Sequence, residues 1–78
     1  MARREIYAAR RVLARNLHRC RLAQGLTQEE LANAAGLRQA LISELESSKL
    51  DVRLDTLSRL AIALNVTMAD LFDEAKRS

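Results

Sequence analysis

His18, Cys20 and a set of arginines are the first residues in this sequence that could do chemistry. His18 is the sole imidazole and Cys20 the sole thiol. One of each supplies neither a metal-ligand cluster nor an intramolecular disulfide. No serine, histidine and aspartate stand at a spacing that suggests nucleophilic catalysis, and neither glycine lies in a phosphate-binding loop. The sequence therefore predicts a protein that is not an enzyme and needs no cofactor and no metal. His18 reads as a surface or phosphate-adjacent side chain. Cys20 falls on an apolar helical stripe, so a buried thiol is expected rather than a redox sensor. The arginines say more. Residues 1–40 carry eight of them against Glu5, Glu29 and Glu30, a balance of +5, whereas residues 41–78 carry five bases against seven acids, a balance of −2. So basic a half in a chain of 78 residues points to a polyanion partner, with a solvated arginine-rich helix face as the alternative.

These side chains must be positioned by helices. There is no proline, there are two glycines, and Leu, Ala and Ile dominate, so the fold class is all-α. The length fits one domain over residues 1–78, with residues 1–11 as an N-terminal extension of helix 1. No apolar run is long enough to span a membrane, and the N-terminus lacks the apolar core of a secretory signal. A cytoplasmic location is expected.

Helix 1 is predicted over about 5–24. Ile6, Ala9, Leu13, Leu17 and Cys20 form its apolar stripe, and Gly25 ends it in the left-handed conformation. Thr27 with Glu30 makes a capping box that starts helix 2, about 28–35, with Leu31 and Ala35 inward. Gly36 breaks the chain. Helix 3 follows over about 38–47, with Ile42 and Leu45 inward. Helix 4 spans about 54–64 and buries Leu57, Leu60, Ala61 and Leu64. Helix 5, about 67–75, starts at Thr67 with Asp70 three residues on, and buries Leu71. The informative unit is helix 2, a glycine break and helix 3, the helix-turn-helix arrangement, which leaves one face of the second helix free to enter a DNA major groove.

The segments RCRLAQGLTQEELANAAGL, ISELE and LDTLSRLAIALNVTMADLF carry a closer likeness. They resemble the helix-turn-helix family of phage repressors and Cro proteins, whose bacterial relatives include restriction–modification controller proteins and antitoxins. The resemblance runs over about residues 12–73. It implies a compact five-helix bundle whose third helix reads DNA. It implies that Gln28, with Thr27 before it, meets a phosphate at the start of helix 2, where free N–H groups suit an anionic oxygen. It implies that Gln39 contacts a base, an amide being able to pair with adenine N6 and N7. Ala40, Ser43 and Glu44 share that face, for a thymine methyl, either base, and cytosine N4 in turn. Lys49, just past the helix, would meet a phosphate. Arg21 and Glu46 are expected to form a partly buried ion pair that belongs to the architecture rather than to readout.

Two positions depart from the pattern. Position 38, usually a capping Ser, Thr or Asp, is Arg38, and a lost cap costs about 1 kcal/mol. A phosphate or base edge could satisfy the open helix end and meet the guanidinium, which makes Arg38 a further DNA-contact candidate. Position 48, commonly glycine, is Ser48. Either it carries about 1 kcal/mol of left-handed strain or the chain turns differently there.

Ile62 projects away from the core face of helix 4, near Val66 and Ala69, and these three form the candidate homodimer interface. Ile6 and Tyr7 add to it or pack on their own chain. Arg3 and Arg4 either follow DNA or do not order. Double-stranded DNA and a second copy are the expected partners, on a (pseudo)palindromic operator, with RNA polymerase or a cognate toxin as further family-type partners and no membrane. With no effector or cleavage domain in the sequence, regulation is expected through concentration and cooperative dimer binding. The second functional class is a protein-interaction module such as an antitoxin. The basic helix 1, Gln28 and Gln39 favour DNA.

Overall fold

The computed structural model describes the backbone of residues 3–49 and 51–74, and the side chains of residues 7–49 and 51–74. The roles expected for Arg3, Arg4 and Ile6 lie outside the described residues. Five helices follow one another: α1 Arg3–Ala23, α2 Gln28–Ala35, α3 Gln39–Glu46, α4 Leu54–Leu64 and α5 Met68–Leu71. α1 packs on α3 and α5, and α2 packs on α3 and α4. Leu17, Leu31, Ile42, Leu60, Leu64 and Leu71 are fully buried between them, one or two from each helix. Burying a leucine or isoleucine side chain contributes about 1.5–3 kcal/mol, so this leucine-rich seam is the main stabilising term of a nearly aromatic-free core. Cys20 lies in it, buried and unpaired as a thiol.

The helix starts are local. Thr27 accepts from the backbone N–H of Glu30, whose carboxylate accepts from the N–H of Thr27 in return. Thr67 and Asp70 repeat the same reciprocal pair at α5. Each satisfies two N–H groups that a helix leaves open.

The helix ends share one device. α1, α2, α3 and α4 are each followed by a residue with positive φ, namely Gly25, Gly36, Ser48 and Asn65. At each end the next N–H reaches back five residues, from Leu26 to Arg21, Leu37 to Ala32, Lys49 to Glu44 and Val66 to Ala61. These are four Schellman closures. Leu26, Leu37 and Val66 then lean onto the core, the apolar contact that usually accompanies the motif. At the end of α3 that position is the exposed Lys49 instead.

Ser48 therefore turns as a glycine would, at φ 61°. Asparagine enters this region readily, but serine does so against its Cβ. Ser48→Gly is expected to raise stability by about 0.5–1 kcal/mol, glycine's larger unfolded-state freedom offsetting part of the relieved strain. A chemical-denaturation midpoint that stays the same or falls would show that the serine sits there without strain.

Three expectations are corrected. Ala9 is exposed, lining a shallow groove with Ala8, Val12 and Phe72, because α1 outruns the bundle: nothing described before Leu13 is buried. α5 ends at Leu71 rather than near 75, with Phe72 as its C-cap. The carbonyls of Leu71 and Asp73 both accept from the fully buried Asn16 side chain of α1, at 3.0 Å each. Val66, expected on the outer surface, is half-buried, since the Schellman closure of α4 turns it inward.

Candidate nucleic-acid interface

α3 is divided cleanly. Ile42 and Leu45 enter the core, while Gln39, Ala40, Ser43 and Glu44 are exposed on the opposite side. The side chains of Arg38, Gln39, Glu44 and Lys49 have no hydrogen-bond or ionic partner among the described residues. Gln39 opens the helix and Ser43 follows one turn later, so the exposed groups form a continuous strip. Arg38 sits at the N-cap in extended backbone and makes no side-chain capping bond. A first turn with open N–H groups and a guanidinium beside it is an electropositive end.

The underside of α3 is pinned by charge. Glu46 accepts from Arg21 Nε at 2.7 Å and from Arg21 Nη2 at 3.0 Å, a bidentate pair with side-chain exposures of 9% for Arg21 and 7% for Glu46. Arg21 Nη1 also donates to the Leu26 carbonyl at 2.7 Å. Burial pushes the Glu46 carboxyl upward, but hydrogen bonds from Arg21, His18 and Gln28 and the attraction of Arg21 outweigh it and hold the group below its ordinary value. The hydrogen bond to Glu46 raises Arg21 in turn.

Gln28 and His18 join the same carboxylate. Gln28 Nε2 donates to Glu46 Oε1 at 3.2 Å, and His18 Nδ1 lies 3.1 Å from that oxygen. His18 Nδ1 is also 3.1 Å from Arg21 Nη2. It cannot accept from the guanidinium and donate to the carboxylate with one proton inventory, so the tautomer decides which contact is a bond. The cluster ties α1, α2 and α3 together at one point. It also restrains the Gln28 amide and leaves it one N–H and its carbonyl. The backbone N–H of Thr27 is occupied by Glu30, and its hydroxyl hydrogen stays available. Lone-residue reasoning placed His18 at the surface and did not connect it to Glu46. The cue was the i, i+3 spacing of His18 and Arg21 on one helix face.

The glycine corner is shaped from α4. A Cβ on Gly36 would lie 3.2 Å from Arg59 Nη1, and its φ is 70°. The left-handed backbone favours glycine here, while the Arg59 guanidinium, at the end of a flexible side chain, would have to shift only slightly for a Cβ. On α4 itself, Ile62 is 80% exposed, and Ala69 of α5 is also exposed. Among the described residues no helix is long and apolar enough to cross a membrane, and no group of His, Cys, Asp and Glu could hold a metal ion.

Residues 17–71 match the helix-turn-helix family. A "Neisseria hypothetical transcription factor" from Neisseria meningitidis serogroup B is 36% identical over 62 residues, covering 80% of this chain and 58% of that protein. The chain thus spans a little over half the length of that relative. Control protein C.SmaI from Serratia marcescens is 38% identical over 60 residues, covering 77% of this chain and 71% of that protein. Among solved structures, the restriction-modification controller protein C.AhdI from Aeromonas hydrophila superposes with a TM-score of 0.80 at 32% identity, covering 83% of this chain and 98% of that one.

Proposed function

This chain belongs to the helix-turn-helix family, and from that premise we propose that it is a sequence-specific DNA-binding transcriptional regulator. It acts as one DNA-binding domain, as a homodimer on a (pseudo)palindromic operator. The observation that carries this is the exposed strip of α3, whose polar side chains are free of partners while the helix beneath them is fixed by the Arg21–Glu46 pair. A rigid helix bearing uncommitted donors and acceptors is what base readout requires. Arg38, Gln39, Ala40, Ser43 and Glu44 are proposed to meet bases, and Gln28, Thr27 and Lys49 to meet phosphates. Ile62 and Ala69, together with the half-buried Val66, are proposed as the apolar part of the dimer contact. Two recognition helices one DNA turn apart, about 34 Å, would then face successive major grooves. The likeness to C.SmaI and C.AhdI makes a restriction–modification controller the favoured role. The cytoplasm is where such a protein would meet its DNA.

Selection of bound DNA from a random pool tests this directly. Enrichment of a palindrome is expected, with affinity falling steeply as salt rises. Gln39→Ala should relax discrimination at one position of each half-site and cost about 1–3 kcal/mol there. No enrichment, or binding indifferent to salt, would favour a protein partner. Unchanged discrimination in Gln39→Ala would remove that side chain from readout.

A further inference from the structure

Residues 3–16 of α1 precede the segment that matches the family. Within them Arg10 makes a long-range contact. Its Nε and Nη2 both donate to Asp51 Oδ1, at 3.1 and 2.7 Å. The guanidinium also lies over the Tyr7 ring, 5.6 Å from its centroid. Arg10 is largely covered, with 25% of its side chain exposed, while Asp51 is 82% exposed.

Asp51 stands two residues past Lys49, in the segment that joins α3 to α4. That segment begins with Ser48 in the left-handed region and has Lys49 where the other three helix ends place an apolar anchor. Among the described side chains, Ser47 Oγ and Arg53 bond only to the helices that flank it, at Ser43 O and Asp55, whereas Val52 on the core and Asp51 on Arg10 tie it to the rest of the molecule.

We propose that Tyr7 and Arg10 form a strut that fixes the α3–α4 segment through Asp51 and so positions Lys49 against a DNA phosphate. The inference rests on the DNA-binding reading above. Arg10 is a positioning residue here, because its guanidinium is already engaged by a carboxylate. The strut also explains an acid beside a lysine on a face that meets a polyanion. By charge alone Asp51 repels DNA, and its removal should tighten binding. As the foot of a strut it helps binding, and its removal should weaken it.

The opposite signs make the test. Asp51→Ala should bind the selected operator about two- to fivefold more weakly, the range an exposed ion pair can supply. In a Lys49→Ala background the same substitution should have little further effect, since the two act through one contact. In the free protein, Arg10→Ala should speed amide hydrogen exchange at residues 49–52 while circular dichroism shows the helices intact. Tighter or unchanged binding by Asp51→Ala overturns the strut, as does unchanged exchange in Arg10→Ala. If the wild-type chain binds no DNA at all, the DNA reading fails and the positioning role with it. The exchange measurement then separately decides whether Arg10 restrains the segment.

Discussion

Arg21→Met should lower stability by about 3 kcal/mol, at the lower end of what breaking a buried ion pair costs. The loss comes less from the missing attraction than from Glu46, left with 7% of its side chain exposed and its strongest donor gone. His18 and Gln28 remain as donors, which keeps the effect from being larger. For a domain whose total stability is about 5–15 kcal/mol, such a change is plain in a denaturant titration. Pairing Arg21→Met with Glu46→Leu should recover most of the stability, since apolar replacement of both partners removes the buried charge. Operator binding should not recover with it, because the Gln28 amide loses its tether. Equal recovery of both would confine the pair to an architectural role.

The same carboxylate makes stability depend on pH. The folded-state value of Glu46 lies below the ordinary 4.5, so its contribution is complete above that value and is lost as pH falls through the folded value. The wild-type chain should therefore weaken on acidification below about pH 4.5, and this acid limb should shrink in Arg21→Met. An identical limb in both would assign the acid sensitivity to other carboxylates.

Asn16→Ala should act where α5 meets α1, with comparable force. Asn16 is fully buried, and its amide donates to the carbonyls of Leu71 and Asp73. Each carbonyl left unsatisfied costs about 1–3 kcal/mol, which puts the total near 2–4 kcal/mol. The damage should be local first. α5 is four residues long, too short to persist without tertiary support. Rapid hydrogen exchange at residues 68–73 is expected before global unfolding. Asn16→Asp tests the cause, because it keeps the shape but cannot donate when ionised, and it should be about as harmful. If Asp restores exchange protection, volume rather than donation holds α5.

These two sites mark where the sequence stops being legible. Boundaries written in neighbouring residues could be read directly: the Thr27–Glu30 and Thr67–Asp70 boxes, the glycine ends at Gly25 and Gly36, and the inward positions of α4. The Arg21–Glu46 contact followed from resemblance, and the structure brings the two side chains together. What depended on distant partners could not be read. Leu71, where α5 ends, is held by an asparagine 55 residues earlier in the chain. Nothing local says that α1 outruns its bundle and leaves Ala9 exposed, or that Val66 turns inward after a left-handed Asn65. The contacts of Gln28, His18 and Arg10 likewise exist only once separate helices meet. The uncapped Arg38 and the left-handed Ser48 were visible as departures, and the backbone shows how the chain accommodates each.

The divided cross-section of α3 has a consequence for how such a protein can change. Its inner contacts are made by Leu41, Ile42, Leu45 and Glu46, while the side chains of Gln39, Ala40, Ser43 and Glu44 are exposed on the other side. Substitutions at these four positions are expected to stay within about 0.5 kcal/mol of the parent's stability. The strip proposed to read DNA can therefore be rewritten, by drift or by design, without refolding the scaffold beneath it. A library varied only at residues 39, 40, 43 and 44 should keep a nearly constant melting temperature and, on the proposed readout, select different DNA sequences.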